Sequence, residues 1–547
     1  MDVQLWWIGM GAVGIFAAAH FTYARFIARW MNVDDARTTP AVLCNDGVDH
    51  VPTPRGALFL QHFSAISAAG PIVGPIVAAA MFGWLPGLLW ILFGCVVIGA
   101  VHDFAALTAS VRHGAKTVAE IVREHVGREA WLLFVVFVWL ALSLVVVNFT
   151  DVTAKAFLRG QLELDGAAVV PGPAVASSSM LYLLLALVMG LLQTKWRVSA
   201  RIVAPLGVVA LFALLWLGQA WPLQLTDGTL GLDAWRQWVL LILGYCCIAS
   251  VAPMTLFLQP RGFLGGVLLW CFLVVGIIGL FFSGEPVRAA AWIDTPVQPL
   301  LPVLFVTIAC GACSGFHGMV CSGTTSKQVA REGHMQGIGY GAMLCEGLVA
   351  IIALATFMIA APSAKADPST TFASGIARFA ATLGIPPQLG LQFGFLALAT
   401  FIYDTLDVCT RLGRYLLQEL VAGTTPWKCP AWLATLITVA APGALLLSGA
   451  DYTVAWKVFG ASNQLLAGLT LLAVAVWLRR TGGRVWFLLL PMAFILGITL
   501  TALVRDTIHE GNPPLLRGIA AALLIVGTTV LVMSLLRLRV ARGTQAR

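Results

Sequence analysis

The residues of this chain that could do chemistry sit inside apolar sequence. In GACSGFHGMVCSGTTSKQVARE (311–332), four glycines accompany Ser314, His317 and the hydroxyl run Thr324, Thr325, Ser326, with Lys327 behind. Hydroxyls and backbone carbonyls can hold an ion, and an imidazole can carry a proton near neutral pH. Glycines alone would need no more than close helix packing, and a single histidine can also be a packing residue. The composition of the whole stretch is unlike that of an ordinary spanning helix.

Three more segments share this character. QHFSAISAAGPIVGP (61–75) holds His62, Ser64, Gly70, Pro71 and Gly74. Its prolines lack N–H donors and should break a helix near 69–75, unless the stretch is a simple loop. GYCCIASVAPMTLFLQPRGF (244–263) holds Ala249, Ser250, Ala252 and Pro253, read as a second break or an ordinary proline kink. FIYDTLDVCTRLGRYLLQEL (401–420) places Asp404, Asp407 and Arg411 at i, i+3 and i+7, one helical face. Asp407 can pair with Arg411, whereas Asp404 has no local cation. Glu346 is another isolated carboxylate, readable as a packing residue, and His102 and Asp103 read as interfacial. A charged group at the bilayer centre costs about 2.5–3.5 kcal/mol on insertion scales, so such residues are functional candidates by default.

The elements that must position them are membrane helices. The chain has 547 residues, 59% hydrophobic and only 11% charged, with mean hydropathy +0.89; soluble chains carry about 25% charged residues. Apolar runs such as 131–149, 202–218 and 263–282 approach the length of about 20 residues that crosses a bilayer. About fifteen crossings are predicted: 5–27, 57–80, 84–109, 130–150, 179–194, 201–221, 237–258, 263–283, 299–321, 337–361, 389–410, 431–449, 453–478, 485–504 and 515–536. The first lacks the basic start and small-residue cleavage site of a signal peptide.

The net charge of +8 does not indicate nucleic acid, because the basic residues flank apolar runs. Alternating the connections puts 24 of the 33 Lys and Arg residues on one side, including Arg261, Arg411 and a basic tail ending at Arg547. That side is read as cytoplasmic, with the N-terminus outside and the C-terminus inside. The eleven cysteines lie mostly in apolar runs and suggest no disulfides; Cys310 and Cys313 read as packing residues rather than a metal or redox pair. The longest connections, 28–56, 151–178 and 362–388, fall short of the roughly 50 residues a soluble domain needs. No P-loop, HExxH or nucleophile elbow occurs. An enzyme and a nucleotide-driven pump are disfavoured, no cofactor is expected, and transport would run on an ion gradient or downhill.

Five stretches carry a family resemblance: QHFSAISAAGPIVGPIVAA (61–79), LPGLLWILFGCVVIGAVHDF (85–104), IASVAPMTLFLQPRGFL (248–264), ACGACSGFHGMVCSGTTSK (309–327) and FIYDTLDVCTRLGRYLLQEL (401–420). Over roughly residues 10 to 480 the chain resembles the carbon starvation protein A (CstA) family of membrane transporters. The resemblance implies a secondary transporter of the bacterial cytoplasmic membrane, associated with peptide uptake in nutrient limitation, with close relatives in proton-coupled pyruvate uptake. It also implies the amino acid–polyamine–organocation superfamily, an all-α fold whose core is two five-helix repeats of inverted topology with discontinuous helices at the site.

On that plan residues 1–56 form an N-terminal helix and cytoplasmic loop, 57–221 and 237–410 the two repeats, and 411–547 accessory helices with a basic tail. Each repeat would begin with a broken helix, at Gly70–Pro75 and near Ala252–Pro253, and GACSGFHG would belong to the third helix of the second. Half-helix N-termini would present N–H groups to a substrate carboxylate. The substrate site is expected at His62, Ser64, Gly70, Pro71, Gly74, Ala249, Ser250, Ala252, Pro253, Ser314 and His317, with coupling at Thr324, Thr325, Ser326, Asp404 and Asp407. Lys327 beside the hydroxyls disfavours sodium and tilts the coupling ion toward a proton. Gln61 and Gly262-Phe263 depart from the family pattern, which leaves the substrate open between peptide, the first choice, and pyruvate. A nutrient sensor is the rival of another class; a channel or an intramembrane enzyme fits less well.

Overall fold

The computed structural model describes all residues except 1–3, 161, 165–166, 229–230, 295–297, 361–366, 449–452 and 545–547. The tail residue Arg547 lies outside the described residues. The chain folds into helices α1 (Leu5–Trp30), α2 (Arg55–Ile66), α3 (Gly70–Phe82), α4 (Trp84–Arg112), α5 (Val118–His125), α6 (Arg128–Phe157), α7 (Pro171–Thr194), α8 (Ala200–Ala220), α9 (Ala234–Val251) and α10 (Met254–Phe282). It continues through α11 (Leu300–Thr307), α12 (Gly315–Val320), α13 (Gln336–Met358), α14 (Pro368–Ala381), α15 (Pro387–Thr424), α16 (Ala431–Leu447), α17 (Thr453–Arg480), α18 (Trp486–Ile508) and α19 (Pro514–Thr544). A small antiparallel hairpin, β1 (Leu162–Leu164) and β2 (Ala167–Val169), precedes α7.

Among the described residues, 12 helices are long and apolar enough to cross a membrane, or 13 with α2 and α3 taken as one span bent by 43°. This is a multi-pass membrane protein. Tryptophans near helix ends, among them Trp7, Trp196, Trp221, Trp427 and Trp486, are exposed, as befits rings that settle at a membrane–water boundary. Of the fifteen expected crossings, 57–80 is the bent pair, 431–449 contains the 17-residue α16, and 299–321 is divided between the short α11 and α12.

Two interrupted segments define the centre. In the first, helix geometry stops after Ile66 and resumes at Gly70, with Pro71 in the first turn of α3, where its missing N–H costs nothing. In the second, α11 ends at Thr307 and α12 begins at Gly315, leaving a glycine-bearing irregular stretch between. The two breaks lie against each other. A Cβ on Gly74 would stand 2.6 Å from the Thr307 carbonyl, and one on Gly70 would collide with Cys310. Irregular backbone at membrane depth persists where it is buried in protein or lines a watery cavity.

The second break expected at 251–255 is located elsewhere. Pro253 has no N–H, and Ala252 before it is extended (φ −63°, ψ 144°), so α9 ends and α10 begins. Both are of spanning length, so this is a connection between two spans. It docks against the loop 44–54, where Val48 O accepts from Met254 N–H at 3.2 Å, and the same loop donates from Val51 and Thr53 to the carbonyls of Lys327 and Gln328.

Gly74→Val would drive side-chain atoms into the Thr307 carbonyl. We expect a loss of about 1–3 kcal/mol from overpacking, read as a lower melting temperature in detergent by size-exclusion thermal challenge; an unchanged melting temperature would contradict the contact between the breaks.

Candidate functional site

Three polar assemblies lie in the apolar interior. The first joins α10 and α15. Arg261, 1% exposed, pairs with Asp404 and contacts Asp407 at 2.9 Å. The Tyr182 hydroxyl donates to the Arg261 carbonyl at 2.8 Å, and that of Tyr245 to Asp407 Oδ2 at 2.8 Å. Gly265 makes room, since a Cβ there would strike both Asp404 Oδ2 and Ser64 Oγ. A buried cation shared by two carboxylates meets the requirement that buried charges be paired.

The second assembly joins α2 to the segment after α12. His62 Nδ1 lies 2.8 Å from Thr325 Oγ1. A small cavity of about 10 Å³ is lined by His62, Arg261, Thr324, Thr325 and Asp404. That is about the room one water needs, so it touches the first assembly without offering space for a nutrient.

The third assembly centres on His317. Its Nδ1 is 2.9 Å from Asp103 Oδ2, and its Nε2 is 3.1 Å from Glu346 Oε2, an ion-pair distance without hydrogen-bond alignment. His102 Nδ1 is 2.8 Å from the other Asp103 oxygen. All four residues are 0% exposed. Gly318 admits His102, whose Cε1 would lie 2.9 Å from a Cβ on that glycine. Two carboxylates and two imidazoles are thus closed off together, a set whose chemistry allows it to take up or give up a proton.

A larger cavity, about 470 Å³, opens on the face opposite Arg55, Arg112 and Lys327. Gln298 and Arg505 line its mouth, and Gly70, Thr307 and Cys310 lie deeper. The volume falls in the range of about 300–1,000 Å³ typical of small-molecule pockets. Beyond Cys310 sits the start of α12, where Phe316 N–H donates to Asn463 Oδ1 at 2.8 Å, while Asn463 Nδ2 donates to Ser314 Oγ at 3.0 Å and Cys310 Sγ at 3.3 Å.

With the geometry laid out, comparison with known proteins decides the family. The model of the family described as carbon starvation protein CstA matches residues 4–364 and 359–502. The chain belongs to the CstA family. It is 31% identical to the peptide transporter CstA of Escherichia coli K12, over 92% of this chain and 81% of that protein. It is 30% identical to the pyruvate/proton symporter BtsT of the same organism, over 91% of this chain and 81% of that one. Among solved structures it is similar to a manganese transporter of Eremococcus coleocola, with TM-score 0.51 and 12% identity over 91% of this chain and 99% of that one, which speaks to fold alone. Like its relatives, this CstA-family protein is a membrane transporter and not an enzyme.

Within this CstA-family chain the expected site residues divide. His62, Thr324, Thr325 and Asp404 meet around the small cavity, with Ser64 beside Asp404. Gly70, Pro71 and Gly74 face the second break, where a Cβ on Gly311 would lie 3.5 Å from Pro71 Cα. Ser314 and His317 flank the start of α12. Ser326 turns away to Ser110 Oγ at 2.9 Å. Ala249, Ser250, Ala252 and Pro253 lie apart from the paired breaks: the carbonyls of Ala249 and Ala252 accept from Arg411, and Ser250 Oγ is 3.1 Å from Thr435 Oγ1.

Tertiary partners replace the local ones expected. Asp404 does have a cation, Arg261 from α10, and the ion-pair partner of Asp407 is Arg261 rather than Arg411. Arg411 instead pairs with Asp49 at 3.4 Å. Arg261 and Arg411 are each 1% exposed, so neither is a loop residue marking the cytoplasmic side. Lys327 Nζ sits 4.0 Å above the Tyr415 ring. Sequence reasoning read Asp103 and His102 as interfacial, named Glu346 as an isolated carboxylate or packing residue, took Arg261 only as a basic flank, and passed over Tyr182, Tyr245 and Asn463. The available signal for Asp103 was its isolation in apolar sequence, the criterion that singled out Asp404 and Glu346.

Removing Arg261 alone leaves two carboxylates facing each other in the interior. Arg261→Met should cost about 3–5 kcal/mol, and the triple variant with Asp404→Asn and Asp407→Asn should recover much of that loss. Thermal unfolding of the two side by side checks this; a triple variant no more stable than the single one would deny that the three charges act as one unit.

Proposed function

We propose that this CstA-family transporter imports a small carboxylate-bearing nutrient, peptide first and pyruvate second, in symport with a proton. The observation that carries the reading is the position of α12. The N-terminal end of this short helix borders Cys310, Ser314 and Asn463, near the deep end of the large cavity. Two residues after its start, His317 is held between Asp103 and Glu346. One rigid piece thus touches both the space for substrate and the space for a proton.

The substrate carboxylate would sit at the N-terminus of α3, beside Gly70 and Pro71, where the positive end of the helix dipole favours an anion. Ser314 and Asn463 would complete its contacts. The carboxylates of Asp103 and Glu346 on either side of the ring would stabilise a proton carried by His317. Asp404 and Asp407, with Arg261 between them, would serve as the lock that holds α10 to α15 during the cycle. Thr325 and His62 would sense its position, with Thr324 beside them; Ser326 would anchor this segment to α4.

The packing supports an inverted repeat in which α2/α3 corresponds to α11/α12, α4 to α13, the short α5 to α14, α6 to α15, α9 to α16 and α10 to α17. In each half the first broken helix packs on the last one, α2 on α10 and α12 on α17, and α10 meets α14 as α17 meets α5. This pairing starts the second repeat at Leu300 rather than residue 237, and leaves α7 and α8 as an inserted hairpin. By the positive-inside rule, the N-terminus would lie outside and the C-terminus in the cytoplasm. The large cavity would then face outward, with loop 44–54 closing the cytoplasmic side through Asp49, Arg411 and Tyr415.

Reconstituted in liposomes under an inward proton gradient, the protein should accumulate a labelled dipeptide or labelled pyruvate and lose accumulation when the gradient is collapsed. His317→Gln and Glu346→Gln should abolish gradient-driven accumulation while leaving substrate exchange across the bilayer. Full accumulation by His317→Gln would remove the proton assignment. Binding of either compound without flux would favour the sensor reading.

A further inference from the structure

Outside the transport path, a second group of ligand-type side chains gathers at the end of α4 on the basic face. His113 caps the C-terminus of α4, and Glu124 and His125 are the last two residues of α5. The Nε2 atoms of His113 and His125 are 2.8 Å apart, and a carboxylate oxygen of Glu124 lies 3.8 Å from His125 Nε2. The three ligand atoms all fall within 4.8 Å of one another.

We propose that His113, Glu124 and His125 bind a divalent transition-metal ion of borderline softness, zinc foremost. Three features of the geometry converge. First, His113 Nδ1 lies 2.6 Å from the Ala109 carbonyl. A carbonyl can only accept, so Nδ1 carries the hydrogen and Nε2 keeps its lone pair, directed at His125. Fixing the free nitrogen by a bond from the other one is how metal-binding histidines are oriented. Second, both histidines stand at helix C-termini, where the exposed carbonyl ends favour a cation. Third, two imidazoles and one carboxylate make an N₂O donor set suited to zinc, with a fourth position left for water.

At Zn–N bonds of about 2.0–2.1 Å, tetrahedral ligand nitrogens stand roughly 3.3 Å apart, so the rings need to open by only about half an ångström. The rings are already near perpendicular, at 83°, and Trp477 of α17 covers His113 edge-on at 5.2 Å. Arg480, near His125, opposes a bound cation. The ion is therefore expected to be exchangeable rather than a permanent structural one. Bound, it would tie the end of α4 to α5. Ten residues back along α4 lies Asp103, the partner of His317, so occupancy would restrain the helix that carries the proposed proton site.

Binding can be tested whether or not the transport reading holds. Purified tag-free protein, stripped with a chelator, would be titrated with Zn²⁺ by calorimetry and with Co²⁺ by visible absorption. One equivalent per chain is expected, with the stronger d–d bands of a four-coordinate Co²⁺ centre. His113→Gln and His125→Gln should each weaken binding at least about 10-fold, and Glu124→Gln less, with all three variants eluting as the parent on size exclusion. No saturable site, or one that survives the double His113→Gln/His125→Gln variant, would overturn the proposal. The second result would place the metal on other histidines of the basic face, such as His50 or His334.

Discussion

The interior of this protein is organised by the cost of burying charge. Moving an ion from water into a low-dielectric interior costs several kcal/mol even after relaxation, and the loss is offset only by close partners and further hydrogen bonds. Each buried ionic group here therefore fixes the helices that supply its partners. Arg261 holds α10 to Asp404 and Asp407 on α15, and Tyr182 and Tyr245 from α7 and α9 close around them. His317 holds α12 to Asp103 on α4 and Glu346 on α13. No two neighbouring turns of one helix could satisfy these groups, so the packing of the helices and the pairing of the charges are settled together.

The paired breaks add a second constraint. A broken helix leaves backbone N–H and C=O groups that lipid cannot satisfy, and side chains of other helices serve here: Trp90 donates to the Ile308 carbonyl at 3.1 Å, Cys95 to that of Gly311 at 3.1 Å and Thr405 to that of Ala65 at 3.3 Å. Glycine is what lets the two broken segments approach. Gly70 and Gly74 meet Cys310 and Thr307 so closely that any Cβ would clash. The helix that follows, α12, runs on through a π-helical turn to Thr325. Its start is held by Asn463, which takes the Phe316 N–H and donates to Ser314 and Cys310.

Closure of the basic face uses similar means. Asp49 in loop 44–54 reaches Arg411 and the Tyr415 hydroxyl on α15, and Lys327 lies over the Tyr415 ring. The loop backbone adds bonds to the segment after α12 and to the start of α10. These contacts are polar and individually modest, about 0.5–1.5 kcal/mol net for an ordinary hydrogen bond. A face closed in this way can open within a transport cycle, unlike one sealed by a wide apolar interface.

Much of the architecture was legible in the order of residues. Apolar length determines that the chain crosses a membrane many times, because about 20 apolar residues are both needed and sufficient to span it. Pro71 determines the first break, because proline removes a donor and restricts the residue before it. The isolation of His317 and Asp404 in apolar sequence marked them as candidates, since a buried charge needs a reason. What the order of residues left open was partnership. Asp404 had no cation within reach along its helix, and its partner Arg261 is 143 positions away. Asp103 lies 214 positions from His317, and its helix end looked interfacial until neighbouring helices covered it. Pro253 has the same local signature as Pro71, yet one ends a span and the other starts half of a broken one. Local chemistry determines where a helix stops; only the packing of distant segments decides whether the stop lies at a membrane face or at the centre, and which charges meet there.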